Sequence, residues 1–131
     1  MRRPKKERPL GRAEQAVMDQ VWSRGPVSAE ECRSALVATW PMKDSTIRTV
    51  LRRLEAKGYV SHEVVGRTFR YRAVEAPVAV ATRAVRQLID RFCGGSAETL
   101  MLGLVKDEVI GARDLERIQG RIATAKRARR S

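Results

Sequence analysis

Apolar residues recur at helical spacing through the first sixty positions, then alternate, then return to helical spacing. Val17, Met18, Val21 and Trp22 place one apolar face on a helix expected over about residues 12–24, which Gly25-Pro26 ends. Ser28 and Glu31 have the spacing of a capping box and open a second helix, reaching about Thr39 and burying Ala29, Cys32 and Leu36. Trp40-Pro41 breaks it, because a residue before proline avoids helical angles. A third helix over 44–57, capped by Asp44 or Ser45 and stopped by Gly58, carries Ile47, Val50, Leu51 and Leu54 at i, i+3, i+4 and i+7. Residues 59–65 and 68–73 then alternate around Gly66-Arg67, which predicts a β-hairpin. Phe69, Tyr71 and Ala73 share one face and are expected to pack on the helices, with Arg70 and Arg72 pointing the other way. Farther on, Val78, Ala81, Val85, Leu88 and Phe92 are spaced 3-4-3-4, as in a heptad seam. Gly94-Gly95 stops that helix, and Ser96 caps a short one with Leu100, Met101, Leu104 and Val105. A last helix carries Leu115, Ile118, Ile122 and Ala125.

Three helices followed by a two-stranded hairpin is the plan of a winged helix-turn-helix, with the hairpin as wing. The fold class expected is therefore mainly α with a small β-hairpin, a winged helix-turn-helix followed by a three-helix dimerisation module. Residues 1–9 read as a basic flexible arm, 10–74 as the winged helix, 75–125 as the dimerisation module and 126–131 as a frayed basic tail. The three C-terminal stripes cannot bury themselves well in fewer than sixty residues. A second copy covering Val85, Leu88, Phe92, Leu100, Leu104, Leu115, Ile118 and Ile122 is the economical arrangement; packing back on the winged helix competes with it.

Charge separates the candidate functions. The 131 residues carry net charge +12, which predicts affinity for polyanions, nucleic acid before acidic membrane. Residues 1–73 hold sixteen Lys and Arg against eight Asp and Glu, and residues 74–131 eleven against seven. On the third helix Ser45, Arg48, Thr49 and Arg52 repeat the apolar spacing one position round toward solvent. Guanidinium forks and short hydroxyls on a helix braced from behind suit a major-groove reader; a solvated basic face is the competing reading. Lys43 and Thr46 join the helix candidates, and Arg67 and Arg70 are the wing candidates for phosphate contact. Arg53 drifts to the helix flank and is expected to pair with Glu55 or Asp44.

Other classes lack their residues. His62 is the single histidine, in a strand, with no nucleophile beside it in sequence, and no Cys/His cluster has metal-ligand spacing, so neither enzyme, metal nor cofactor is expected. Cys32 and Cys93 are expected as buried free thiols, with a disulfide or a redox switch as the competing readings. No apolar run reaches about eighteen residues, and the basic N-terminus has no hydrophobic segment behind it. Membrane insertion is therefore not expected, and the location expected is cytoplasmic.

The run Leu10…Glu14-x-x-Val17-Met18-x-x-Val21-Trp22, then Val27-Ser28, then Thr46-Ile47-Arg48-Thr49-Val50-Leu51-x-Arg53-Leu54-x-x-Lys57-Gly58 resembles the penicillinase-repressor (BlaI/MecI) family. The wing Gly66-Arg67-x-Phe69-x-Tyr71 and the later Gly94-Gly95…Leu100…Leu102 are similar too. The resemblance covers roughly residues 10–120. It implies a homodimeric repressor bound to a palindromic double-stranded DNA operator, with the third helix on bases, the wing on the backbone and three C-terminal helices in an intertwined dimer. It also implies control of antibiotic-resistance genes and release through a membrane metalloprotease sensor that cuts the short dimer-module helix. The matching position is Gly103-Leu104, where Gly replaces the usual polar residue and Leu an aromatic one. A copper-responsive branch carries a C-terminal cysteine cluster that Cys93 alone does not supply.

Overall fold

The computed structural model describes residues 10–130, built as α1 (Arg12–Arg24), α2 (Ala29–Leu36), α3 (Asp44–Ala56), β1 (Val60–Val65), β2 (Thr68–Ala73), α4 (Pro77–Phe92), α5 (Ala97–Lys106) and α6 (Ala112–Arg130). The chain divides into two compact units after Val85. That boundary falls inside α4 rather than at residue 75, because Val80 on the first turns of α4 packs against the core of the first unit.

In the first unit, Val17, Met18, Val21, Cys32, Ile47, Leu51 and Leu54 from α1, α2 and α3 meet in a closed core with Val27, Tyr59 and Tyr71. Each fully buried aliphatic side chain contributes roughly 1.5–3 kcal/mol relative to exposure, so the apolar face of α3 is what fixes that helix. The Ser28 capping box is present: Glu31 N–H donates to Ser28 Oγ and Ser28 N–H to Glu31 Oε1, both 3.1 Å. α2 stops at Leu36, short of Thr39; Thr39 and Trp40 N–H both turn back to the Leu36 carbonyl, 3.2 and 2.8 Å, on the approach to Pro41. The cap of α3 also differs from expectation. Lys43 is the N-cap, with no side-chain bond, and Asp44 lies in the first turn. The C-terminus of α3 is closed as anticipated: Gly58 has φ +87°, Gly58 N–H donates to Glu55 O (3.0 Å) and Tyr59 N–H to Leu54 O (2.9 Å), a Schellman pair that a left-handed glycine permits.

The hairpin pairs antiparallel, Val60 with Ala73 through Val65 with Thr68. An unanticipated third segment joins it: Val27 and Tyr71 exchange backbone hydrogen bonds of 2.9 and 2.8 Å, stitching the start of α2 to the wing. Tyr71 is buried as expected, but Phe69 is 48% exposed; its ring stacks on His62 at 4.3 Å instead of entering the core. A polar staple crosses the unit. Lys57 Nζ donates to both Glu14 oxygens (2.9 and 2.7 Å), and the Gly11 N–H donates to Glu14 Oε1 (2.9 Å). Burial pushes the Glu14 carboxyl up, but Lys57, the Gly11 N–H and the nearby Arg53 charge outweigh it and hold it below its ordinary 4.5. Arg53 thus lies beside Glu14, while the carboxylate of Asp44 goes to Arg48.

The second unit is built differently. Ser96 caps α5, accepting from the Thr99 N–H (3.2 Å), and Gly94-Gly95, both at positive φ, end α4. None of α4, α5 or α6 contains a buried residue. Leu88, Phe92, Leu102, Val109, Ile118 and Ile122 are all exposed. Cys93 is half-buried just past α4, whereas Cys32 is fully buried with its thiol pushed up to about 11 by desolvation and by Glu31. The expected frayed tail from residue 126 is instead part of α6, which runs unbroken to Arg130 on strong helix formers.

Candidate nucleic-acid interface

Opposite the buried stripe of α3, Ser45, Thr46, Arg48, Thr49 and Arg52 are all exposed, with Lys43 exposed at the helix start. The core behind them makes this face rigid, and one helix delivers Ser45, Arg48, Thr49 and Arg52 at i, i+3, i+4 and i+7 spacing, with Thr46 one position round. Two local contacts refine what it offers. Arg48 Nη2 lies 3.1 Å from Asp44 Oδ2, one turn earlier, with both side chains largely exposed. Such a pair contributes little to stability but holds the guanidinium along the helix. Thr49 Oγ1 donates to the Ser45 carbonyl (2.9 Å), so Thr49 presents its methyl and an acceptor lone pair outward rather than a free hydroxyl proton.

The wing closes the other side. A cleft of about 350 Å³ lies between the start of α2, the face of α3 and the wing, lined by Ser28, Ala29, Glu30, Arg48, Arg52, Arg67, Thr68, Phe69 and Tyr71. Arg48, Arg52 and Arg67 therefore converge, as the sequence spacing suggested for two of them. Tyr71 floors the site: burial raises its phenol, the Glu55 charge adds to that, and Arg52 and Arg48 oppose it. Arg70, expected beside Arg67, does not line this cleft. Its guanidinium donates to Glu31 Oε1 (3.1 Å) and to the Pro26 carbonyl (2.9 Å), bracing β2 against the α1–α2 turn. Glu31 in turn sits below the ordinary carboxylate range, chiefly through the Ser28 N–H, then the Ser28 hydroxyl, with Arg70 adding less. Val64 and Val65 are exposed on the wing beside Arg67.

Two contributors escaped the sequence pattern. Arg33 of α2 lines a second hollow with Lys43 and Arg48, about 560 Å³ in volume, on the α2 side of α3, where Glu30 and Asp44 offset part of the positive charge. His62 Nδ1 lies 2.6 Å from Glu55 Oε2, joining β1 to the last turns of α3 beneath the Phe69 stack. Position 62 does show its pairing partner in a two-strand register, but nothing local in sequence signals Glu55 or Arg33. Among the described residues, no group of three His, Cys, Asp or Glu could hold a metal ion, and no helix is long and apolar enough to cross a membrane.

A penicillinase-repressor family model matches residues 10–124. The chain is 30% identical over 116 residues to an uncharacterized 16.5 kDa protein in the ptsI 3' region of Latilactobacillus sakei, covering 88% of this chain and 79% of that one. It is 23% identical over 110 residues to the penicillinase repressor of Staphylococcus aureus, covering 84% and 87%. The solved complex structure of hsRosR-S4 superposes with TM-score 0.51 at 18% identity over 95% of this chain and 96% of that one, a likeness of fold alone. The match across nearly all of the described helices and the wing is decisive: the chain belongs to the penicillinase-repressor (BlaI/MecI) family of DNA-binding transcriptional repressors.

Proposed function

We propose that the chain acts as a homodimer on a two-fold symmetric operator, each α3 entering a major groove, with half-sites about one helical turn or a multiple of it apart. The observation that carries this is the two-sided α3: Ile47, Leu51 and Leu54 fully buried on one side, Arg48, Thr49 and Arg52 exposed on the other, and Arg67 across the cleft. In this reading Arg48 and Arg52 contact guanine edges or phosphates, and the Thr49 methyl packs on a thymine methyl. Lys43, Ser45 and Thr46 hold backbone phosphates near the helix start, where the N-terminal dipole favours anions. Arg67 meets the backbone beside the wing, and Arg70 fixes the wing angle from behind. Dimerisation uses Val85, Leu88, Phe92, Leu100, Leu104, Leu115, Ile118 and Ile122, supported by the absence of any buried residue in α4, α5 and α6.

The genes controlled are antibiotic-resistance or stress genes, and release proceeds by cleavage at Gly103-Leu104 after a membrane metalloprotease senses the inducer. Gly103 is exposed on α5, which supports access; a cut there would divide the dimer module and leave each winged helix with half the contacts. Challenge with a β-lactam followed by intact-mass analysis should then yield fragments ending at Gly103, and an uncut chain under full induction removes this part.

Selection from random duplexes followed by footprinting tests the DNA reading. A palindrome protected at about 200 mM salt is the result expected; protection without sequence preference that vanishes at that salt identifies a nucleoid-style binder instead. On the selected site Arg48→Ala should cost about 1–3 kcal/mol and relax one base position, whereas uniform weakening on every sequence makes Arg48 a phosphate anchor.

A further inference from the structure

The positive charge of the second half of the chain is not spread along it. Residues 74–116 hold five Lys and Arg against seven Asp and Glu, whereas from Arg117 onward there are six cations (Arg117, Arg121, Lys126, Arg127, Arg129, Arg130) and no acid. All six lie within α6 and all are exposed. Among the described residues, Arg117, Arg121 and Lys126 form no ion pair. Arg117, Arg121 and Arg127 border one shallow groove lined also by Gly120, Thr124, Ala125 and Ala128, which flanks the row of Ile118 and Ile122. The apolar row and the arginine face of α6 thus meet along an edge at Ala125, while Arg117 and Arg127 lie farther round the helix and stay open when the apolar row is covered.

We propose that the C-terminal half of α6 is a second DNA-binding surface, which takes the duplex phosphate backbone without reading sequence. Fourteen residues of helix span about 21 Å, against a duplex bearing one phosphate charge per about 1.7 Å of axis, so several cations can meet phosphates at once. Charge complementarity alone would also admit an anionic bilayer. The composition of α6 decides against that: it has no aromatic residue, and past Ile122 its apolar residues are alanines only. A helix that binds a bilayer interface sinks a bulky apolar edge alongside its cations, and here the charged end has none. The winged helix of the same chain already brings duplex DNA close, which raises its effective concentration for a weak second surface.

The test is the salt dependence of full-length protein on a duplex lacking the selected site, followed by fluorescence anisotropy from about 50 to 200 mM salt. Three neutralised contacts should lower the log–log slope by about 2–3, so R117Q/R121Q/R127Q is expected to show that loss with unchanged helical circular dichroism and an unchanged footprint on the selected site. R117K/R121K/R127K should restore the slope. R48A/R52A reports separately on α3, so failure of the operator reading is distinguishable from failure here. The proposal is overturned if the Gln variant keeps the wild-type slope, if the Lys variant loses it equally, or if the Gln substitutions abolish binding to anionic phosphatidylserine vesicles while duplex binding is untouched.

Discussion

The two units of this chain solve the burial problem in opposite ways. Up to Val85, three short helices and a hairpin bring thirteen apolar side chains below the surface, with a satisfied capping box, a Schellman turn and the Glu14–Lys57 staple at the margins. From Arg86 on, well-formed helices bury nothing completely. Helix formation and core formation are therefore separate achievements: good propensity and caps suffice for the first, while the second needs surface to close against. The first unit closes on itself and can hold a reading face rigid, and the second presents apolar rows that a second copy would cover.

Substitution should expose that difference. Leu51→Ala removes a fully buried side chain of the first unit and should cost about 2–5 kcal/mol in urea unfolding, independent of protein concentration. Ile122→Asp, at a half-exposed site of the second unit, should leave the first unit's transition in place. It should weaken association by about 1.5–3 kcal/mol, read as a ten- to hundredfold weaker dimer in sedimentation. A concentration-independent loss at Ile122 would mean that α6 closes on its own chain.

The staple offers a smaller probe. Because the folded Glu14 carboxyl is held below 4.5, the stability it contributes is complete above that pH and drains as pH falls through the lowered value. Lys57→Met should cost about 1–2 kcal/mol near neutrality and flatten the acid limb of the pH–stability profile. An acid limb as steep as wild type would assign it to other carboxylates. Smallest of all, Glu108 sits at φ +61° where α5 ends, a left-handed conformation costing an L residue about 1 kcal/mol. Glu108→Gly should stabilise the second unit by about 0.5–1 kcal/mol in thermal unfolding; any loss would mean that the Glu108 side chain makes a compensating contact.

What could be read in advance was what depends on neighbours in sequence. The bounds of α1, the Ser28–Glu31 box, the Gly58 stop and the Gly66-Arg67 turn all rest on residues within a few positions of one another. The polar stripe of α3 was legible for the same reason, since helical spacing alone puts Arg48 and Arg52 on one face. Contacts made across the fold were not. Val27 pairing with Tyr71, Arg70 captured by Glu31 and Pro26, and Phe69 stacked on His62 rather than buried all join segments whose meeting no local pattern announces. The length of α6 was missed for another reason: a run of cations suggests a solvated tail, yet Lys126 and the arginines after it are good helix formers.

The central claim, a rigid reading head that works only in pairs, is met most directly by sedimentation of the full chain free and on its selected duplex. A free particle of twice 14.7 kDa and two chains per duplex are expected, with two symmetric half-sites protected. A species of one chain across micromolar concentrations, binding the selected duplex one to one, would contradict it.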